Sequence, residues 1–112
     1  MREQRVGYIR VSTVEQNNQR QKELLNASGR IDRFFEDKIS GRTKTERPRL
    51  VECMAYVRDG DELVVSSIDR LARSLTDLRS IVDELTSKGV TVTFLHENLA
   101  FAKDTTLSLI HI

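Results

Sequence analysis

The chain has 112 residues, of which 38% are apolar and 31% are charged, with one proline and five glycines. These values are typical of one soluble globular domain and exclude a disordered or fibrous chain. Lysine and arginine number 18 against 17 acidic residues, so the formal net charge is +1. A strong basic field for nucleic acid is absent overall, and any anion binding must therefore be local.

Cysteine content and hydropathy narrow the class of protein further. The single cysteine, Cys53, excludes a disulfide framework within one chain and a metal site built from cysteines alone. No apolar run approaches the roughly 20 residues that a membrane span requires. The N-terminal residues lead directly into strand-like sequence, without the apolar core of a signal peptide. We therefore expect an intracellular, cytoplasmic protein with no membrane partner.

In its first half, the chain alternates strand and helix patterns. The first strand is predicted over 6–11, and the polar stretch after it predicts a helix that Gly29 ends. A second, short strand is predicted over 33–36. Residues 37–47 contain serine, glycine and basic residues but almost nothing apolar, which predicts an exposed, mobile loop.

The second half continues the same alternation. A helix is predicted to begin at Pro48, which suits a first helical turn, and a strand follows over 62–65. Ser74 is a good cap for a third helix, which Gly89 ends before a last strand over 90–94. This order predicts a three-layer α/β domain with a mainly parallel central sheet flanked by helices.

The last six residues, 107–112, are apolar and stop without a helix terminator. One codon set for them reads CTG TCT CTT ATA CAC ATC, which is the end sequence of a transposon-based sequencing adapter. We therefore expect residues 1–106 to form the domain and residues 107–112 to be a non-native tail. The alternative is a genuine apolar C-terminus.

Polar side chains follow the predicted strands at the points where they end. Ligands of parallel α/β sheets bind outside the carboxyl ends of the strands. The candidates are Arg10, Ser12 and Gln16 after the first strand, Asp37 after the second, Asp69, Arg70 and Arg73 after the third, and Arg47 from the loop. We expect these side chains to meet at one edge of the sheet.

This combination of residue types favours phosphate chemistry. Arginine offers a planar, permanently charged fork that pairs with phosphate oxygens, and several converging arginines repel one another without an anion between them. A phosphodiester suits such a cluster, because guanidinium groups neutralise the charge that develops on its oxygens in the transition state. A hydroxyl pointing into the cluster, here that of Ser12, is a candidate nucleophile. The site needs neither a metal nor an organic cofactor.

Taken singly, each candidate has a simpler structural explanation. A serine after a strand is usually a helix cap, and arginines at helix starts are usually solvated. Asp69 and Arg70 could form a surface ion pair that contributes little to stability, and Tyr8, in the middle of a strand, could belong to the core. The joint placement of these residues at the ends of successive strands is what favours a site.

Other chemistries fit the sequence less well. His96 and His111 do not form a metal site with Cys53 by any familiar spacing. The chain contains no Gly-x-Ser-x-Gly nucleophile elbow, no GxxxxGK[ST] phosphate loop and no GxGxxG fingerprint. Cys53 lies in a predicted amphipathic helix, which indicates a packing role.

Four sequence blocks together resemble the serine recombinases, the resolvase/invertase family. The first is YIRVST at 8–13 with Gln16, and the second is DKISG at 37–41. Arg47 and Pro48 with Leu50 resemble the third block, and Gly60-Asp61 followed by DRLARS at 69–74 resembles the fourth. The blocks occur in the family's order and span residues 6–106, nearly the whole chain.

The resemblance implies a mechanism and a role for each candidate residue. Ser12 is expected to attack a DNA phosphodiester, forming a 5′-phosphoserine link and releasing a 3′-hydroxyl. Arg10, Arg70 and Arg73 would stabilise the phosphoryl transition state, joined by Arg47. Asp69 would position an arginine or assist proton transfer. The remaining residues with an implied supporting role are Tyr8, Gln16, Gln21 and Asp37.

The resemblance also implies partners and a context. In this family four subunits cut both duplexes, exchange half-sites by rotation and religate, and no high-energy cofactor is needed because phosphoserine bonds conserve the energy of the broken ones. Relatives continue into a long helix that forms the dimer and then a helix-turn-helix domain, which this sequence lacks. We therefore expect a truncated catalytic domain that binds DNA poorly, from a bacterial plasmid or transposon, whose full-length parent is a homodimer that assembles into a tetramer.

Two other functions stay open at this point. One is a non-catalytic α/β partner-binding or regulatory domain that retains the fold. A pure binding module has no reason, however, to keep Ser12 together with three arginines. The other is a phosphate-binding hydrolase of small substrates, which predicts metal dependence or turnover of phosphate esters.

Overall fold

A computed structural model describes residues 3–12, 19–39 and 47–102 of the chain, and only the backbone of Ser12 and Ile39. The strands are β1 (Arg5–Ser12), β2 (Arg33–Ile39), β3 (Glu62–Val65), β4 (Thr91–Phe94) and β5 (Leu99–Phe101). The helices are α1 (Gln19–Ala27), α2 (Pro48–Tyr56) and α3 (Leu75–Ser87), and a short 3-10 turn covers Ile68–Arg70.

The five strands form one sheet in the order β2-β1-β3-β4-β5. β1 lies at the centre of the parallel part and pairs in parallel with both β2 and β3, and β3 pairs in parallel with β4. β5 is antiparallel to β4. The prediction of an α/β domain with a mainly parallel sheet is confirmed.

The two faces of the sheet bury different sets of side chains, because successive residues of a strand point to opposite sides. On one face Val6 and Tyr8 of β1 pack with the buried residues of α2 and α3. On the other face Ile9 and Val11 pack with Leu25 of α1. The helices therefore form the two outer layers. None of the described helices is long and apolar enough to cross a membrane.

Cys53 lies within the core cluster on the α2 side and is fully buried. Burial raises the pKa of its thiol to about 12. The thiol is therefore protonated at neutral pH, in agreement with the packing role that the sequence indicates.

The prediction for the second strand was too short, and the loop assigned to 37–47 was wrong at its start. β2 continues to Ile39 because β1 continues to Ser12, so the pairs Arg10↔Asp37 and Ser12↔Ile39 extend the parallel ladder. Asp37 is therefore a buried strand residue with 3% exposure and not an exposed loop residue. The rest of that predicted loop, 40–46, lies outside the described residues, as does the tail, 107–112.

The sequence analysis also missed β5. The chain reverses direction after β4 in a turn that contains Asn98 at φ 57°. Asparagine is one of the few residues with a side chain that adopts this left-handed conformation readily. Phe101 of β5 then contacts Phe94 of β4 with the two rings nearly perpendicular, at a centroid distance of 5.9 Å.

The carboxyl end of α3 is closed by a Schellman motif, in which the residue after the C-cap Lys88 adopts a left-handed conformation. Gly89 has φ +91° and its N–H donates to the carbonyl of Thr86, at 2.9 Å. The N–H of Val90 donates to the carbonyl of Leu85, at 3.0 Å, and both side chains are buried. A Cβ atom at position 89 would come within 1.9 Å of Oδ1 of Asp59.

Gly89→Ala should therefore lower the free energy of unfolding by about 1–3 kcal/mol, since alanine is strained at positive φ and its methyl group must displace Asp59. Urea denaturation of the purified chain measures this loss. Ser87→Ala, on the exposed side of the same helical turn, is the control and should change stability little. Equal effects of the two substitutions would contradict the need for glycine at this position.

Candidate functional site

Ser12 is the last residue of β1, at the carboxyl edge of the parallel sheet. Its backbone pairs in register with Ile39 of β2. The same edge carries the end of β3 and the 3-10 turn that follows it. Gln16, a further candidate from the sequence, lies outside the described residues.

Arg10 and Arg70 are linked through the backbone of β1. The β1–β3 ladder ends at the pair Tyr8↔Val65, while β1 runs four residues further. The carbonyl of Arg10 lies beyond that last pair and needs other donors. It accepts hydrogen bonds from Nη1 of Arg70, at 3.0 Å, and from Nε2 of Gln21 in α1, at 3.1 Å.

The guanidinium of Arg10 makes the reverse connection, because its Nη2 donates to the main-chain oxygen of Asp69. These two bonds connect Arg10, which lies two residues before Ser12 in β1, to the 3-10 turn that carries Arg70. The carboxylate of Asp69 itself accepts a hydrogen bond from the hydroxyl of Ser67. In the described structure Asp69 therefore contacts Arg10 through its backbone and not through its carboxylate.

The 3-10 turn is held in place by the turn between β4 and β5. The N–H of His96 donates to the carbonyl of Ser66, at 2.8 Å. The carboxylate of Glu97 accepts from the N–H of Ile68, the first residue of the 3-10 turn, with distances of 3.2 and 3.3 Å to its two oxygens. The segment that presents Asp69 and Arg70 is therefore tied to an edge of the sheet that the sequence analysis did not foresee.

Asp37 caps α2 from a neighbouring strand. Arg47 occupies the position before the helix and makes no side-chain cap, and the helix begins with proline. The carboxylate of Asp37 instead accepts from the N–H groups of Arg49 and Leu50, at 2.9 and 3.1 Å. It also accepts from the hydroxyl of Tyr8, at 2.7 Å.

Tyr8 is a buried member of this group, and its hydroxyl stays protonated at neutral pH. Burial raises the pKa of its hydroxyl, and the hydrogen bond to Asp37 raises it further. The charges of Arg10 and Arg47 oppose this shift. Arg10 and Arg47 are therefore the cations whose charge acts on this buried hydroxyl.

Arg47 and Arg73 share one carboxylate, that of Asp77 in the first turn of α3. Arg47 donates to both oxygens of Asp77, with Nη1–Oδ2 at 2.7 Å and Nη2–Oδ1 at 3.0 Å. The backbone N–H of Arg73 donates to Oδ2, at 2.9 Å, while its half-exposed guanidinium lies with Nε 3.9 Å away. The hydrogen bond between the Arg47 and Asp77 side chains lowers the pKa of Asp77 and raises that of Arg47.

Asp77 is not among the site candidates from the sequence, although it lies three residues after the predicted cap Ser74. Ser74 does cap α3 as predicted, since its hydroxyl accepts from the N–H of Asp77, at 3.1 Å. The partner of the Asp77 carboxylate lies 30 residues earlier in the chain, so no local pattern could have revealed it.

A cleft of about 590 Å³ opens between α1 and the 3-10 turn. Arg70, Asp69 and Gln21 contribute to its walls, together with Ser66 and His96. The described ranges contain no cluster of histidine, cysteine and acidic residues that could hold a metal ion. A concave surface beside two adjacent arginines is suited to a phosphate-containing ligand.

The family model for the resolvase N-terminal domain matches residues 5–112. The chain belongs to the resolvase N-terminal domain family. It is 50% identical over 98 residues to the transposon Tn21 resolvase of Escherichia coli, which covers 88% of this chain and 50% of that protein. It is 46% identical over 84 residues to the DNA-invertase hin of Salmonella typhimurium, which covers 75% of this chain and 43% of that protein. This resolvase domain thus spans about half the length of the curated relatives it matches.

Solved structures show the same fold. The N-terminal catalytic domain of TP901-1 integrase superposes with a TM-score of 0.76 at 22% identity, covering 97% of this chain and 92% of that chain. A resolvase-family site-specific recombinase from Streptococcus pneumoniae superposes with a TM-score of 0.73 at 24% identity, covering 98% and 84%. At these identities the likeness supports the fold of the resolvase domain alone.

Asp37→Ala should destabilise the resolvase domain by about 3 kcal/mol, because it leaves a buried hydroxyl and two N–H groups of α2 without their acceptor. Tyr8→Phe removes only one donor and should cost about 1 kcal/mol. Urea denaturation of both variants measures the two losses. If Asp37→Ala is no more destabilising than Tyr8→Phe, the capping of α2 by Asp37 contributes nothing.

The Arg47–Asp77 pair predicts a specific acid sensitivity. Because the folded-state pKa of Asp77 is lowered from 3.8, its carboxylate contributes stability above that pH, and the contribution is lost as the pH falls through the folded-state value. The difference in free energy of unfolding between the unsubstituted chain and Asp77→Asn should therefore shrink as the pH is lowered from about 6 to about 2. Asp83→Asn, in an exposed pair with Arg79 on the same helix, should show a much smaller change. A difference for Asp77→Asn that is constant with pH would contradict the pairing.

Proposed function

We propose that this chain is the catalytic domain of a site-specific DNA recombinase and that Ser12 is its nucleophile. The hydroxyl oxygen of Ser12 attacks the phosphorus of a DNA phosphodiester and loses its proton as the P–O bond to the 3′-oxygen breaks. The products are a 5′-phosphoserine link and a free 3′-hydroxyl. Attack by a 3′-hydroxyl on the phosphoserine reverses the step and religates the strand, so no external energy source is consumed.

The observation that carries this proposal is the pair of hydrogen bonds that joins Arg10 to the turn carrying Arg70. Arg10 lies two residues before Ser12 in β1. The guanidinium of Arg10 is fixed by a main-chain oxygen, which positions it without a neutralising carboxylate. A fixed positive group close to the reacting phosphate stabilises the charge that develops on its oxygens. Arg47 and Arg73, which both contact Asp77, are assigned to the same proposed cluster.

The other site residues have supporting roles in this proposal. Gln21 holds the Arg10 carbonyl and with it the end of β1. Asp69 orients Arg10 through its backbone. Asp37 and Tyr8 fix the start of α2 and hence Arg47. Gln16 is assigned to the surroundings of the serine by its place in the family motif alone.

The proposed partner is DNA at a recombination site. This is supported by the relatives, which are named as transposon resolvases and DNA-invertases. Those relatives are about twice as long as this chain, so we propose that the parent protein supplies dimerisation and DNA reading from residues that follow this domain. It would act as a homodimer that assembles into a tetramer, in the cytoplasm of a bacterium that carries a plasmid or transposon. With a net charge of +1, the isolated chain should bind DNA weakly.

Ser12→Ala should abolish covalent attachment to DNA. The parent protein, expressed as it is encoded at its source locus, is mixed with supercoiled plasmid carrying the DNA that flanks its gene and is quenched with denaturant. Protein should remain bound to 5′ ends in the parent protein and in the control Ser80→Ala, an exposed serine of α3, but not in Ser12→Ala. Attachment that persists without Ser12 would overturn the assignment of the nucleophile. A folded, DNA-bound parent protein without any attachment would favour the non-catalytic binding domain.

A further inference from the structure

The carboxylate of Asp77 is the meeting point of two arginines that the proposed function needs. It binds the Arg47 guanidinium through both oxygens, and one of those oxygens also accepts the backbone N–H of Arg73. The Arg47 and Asp77 side chains are only 12% and 16% exposed. This bidentate pair is therefore largely shielded from water, unlike the other ion pairs of α3.

The position of Asp77 is itself rigidly determined. It is the third residue of α3, and its N–H is taken by the cap residue Ser74. A carboxylate at this position usually turns back to the N–H of the cap residue. Here it contacts the residue before the cap and an arginine from the start of α2 instead. Helix capping alone does not explain these contacts.

Arg47 is held by more than the ion pair. Its Nη1 also donates to the carbonyl of Leu71, at 2.9 Å, and Leu71 is fully buried. Both N–H bonds of Nη1 and one of Nη2 are thus engaged, which is three of the five N–H bonds of the guanidinium. The Nε–H and the second N–H of Nη2, which form the outer edge of the group, are not among them. Moving Arg47 away would remove a donor from the buried Leu71 carbonyl and leave the shielded Asp77 carboxylate with the backbone N–H of Arg73, which is costly. These contacts therefore hold the Arg47 guanidinium in one fixed position.

We propose that Asp77 is a positioning residue for the phosphodiester reaction: it anchors one side of Arg47 and orients Arg73, so that the outer edge of Arg47 faces the phosphate in a fixed direction. The inference rests on the proposed function, because it assigns Arg47 to the same reaction. Asp77 does not touch the substrate and acts through the two arginines.

A positioning role makes a different prediction from a purely electrostatic one. Asp77 carries a negative charge next to the site, so removing that charge should leave DNA affinity unchanged or increase it. The rate of the chemical step should fall, however, because Arg47 loses its fixed direction. Affinity and rate should therefore change in opposite directions, or rate alone should change.

The test uses Asp77→Asn in the parent protein as encoded at its source locus. The rate of covalent link formation is measured at saturating DNA in a single turnover, and DNA affinity is measured separately. We expect the rate to fall between about tenfold and about a hundredfold without weaker binding. Asp83→Asn removes an acid from the exposed pair on the same helix, and Ser74→Ala weakens the helix start without removing the carboxylate. Asp83→Asn should react within about twofold of the parent protein, whereas Ser74→Ala, which loosens the cap on the Asp77 N–H, should slow the reaction less than Asp77→Asn does.

A double-mutant cycle with Arg47→Lys tests whether Asp77 acts through Arg47. Lysine keeps the charge but cannot make the bidentate pair. The double variant should react no more slowly than the slower single variant, since both substitutions break the same contact. Fully additive losses of rate would overturn the proposal.

Three further outcomes would also overturn it. A faster reaction of Asp77→Asn would mean that Asp77 restrains Arg47, and an unchanged rate would mean that it has no part in the reaction. Equal losses of rate and affinity, matched by Ser74→Ala, would mean a structural role only. If the parent protein itself forms no link to DNA, the proposed function fails and this inference fails with it. If the parent protein is active and Asp77→Asn reacts as fast, the inference alone is refuted.

Discussion

The geometry of the candidate site depends on the hydrogen bonds that the buried carboxylate of Asp37 accepts. This carboxylate lies in β2, receives the hydroxyl of Tyr8 from β1 and accepts the first N–H groups of α2. One side chain therefore fixes two strands and the start of a helix relative to one another. Because Arg47 immediately precedes that helix, the same carboxylate determines where Arg47 can reach. The proposed chemistry is in this sense set by a residue that need not contact the substrate.

A difference in strand length creates the other half of the site. β1 has eight residues and β3 only four, so the end of β1 loses its neighbour on one side. The open carbonyl of Arg10 then has to find donors, and it takes them from Arg70 and Gln21. A requirement for backbone hydrogen bonding thus brings the second arginine to the first. Ser12 follows at the end of the same strand.

Much of the fold follows from local sequence patterns. The positions of β1 to β4, the proline start of α2 and the Ser74 cap of α3 were all predicted, because each depends on neighbouring residues only. The length of β2, the edge strand β5 and the buried state of Asp37 were not, since each depends on pairing with distant parts of the chain. The sequence motif likewise gave the arginines of the candidate site. It could not identify Asp77, whose carboxylate meets Arg47 only after α2 and α3 have packed on the sheet.

The central claim is that the oxygen of Ser12 becomes joined to the 5′ phosphate of a cut strand. The most direct measurement digests the trapped protein–DNA complex with nuclease and protease and locates the nucleotide on the peptides by mass spectrometry. A single modified peptide is expected, with the nucleotide joined through its 5′ phosphate to Ser12. A nucleotide on any other serine or on a tyrosine, or one joined through its 3′ phosphate, would contradict it.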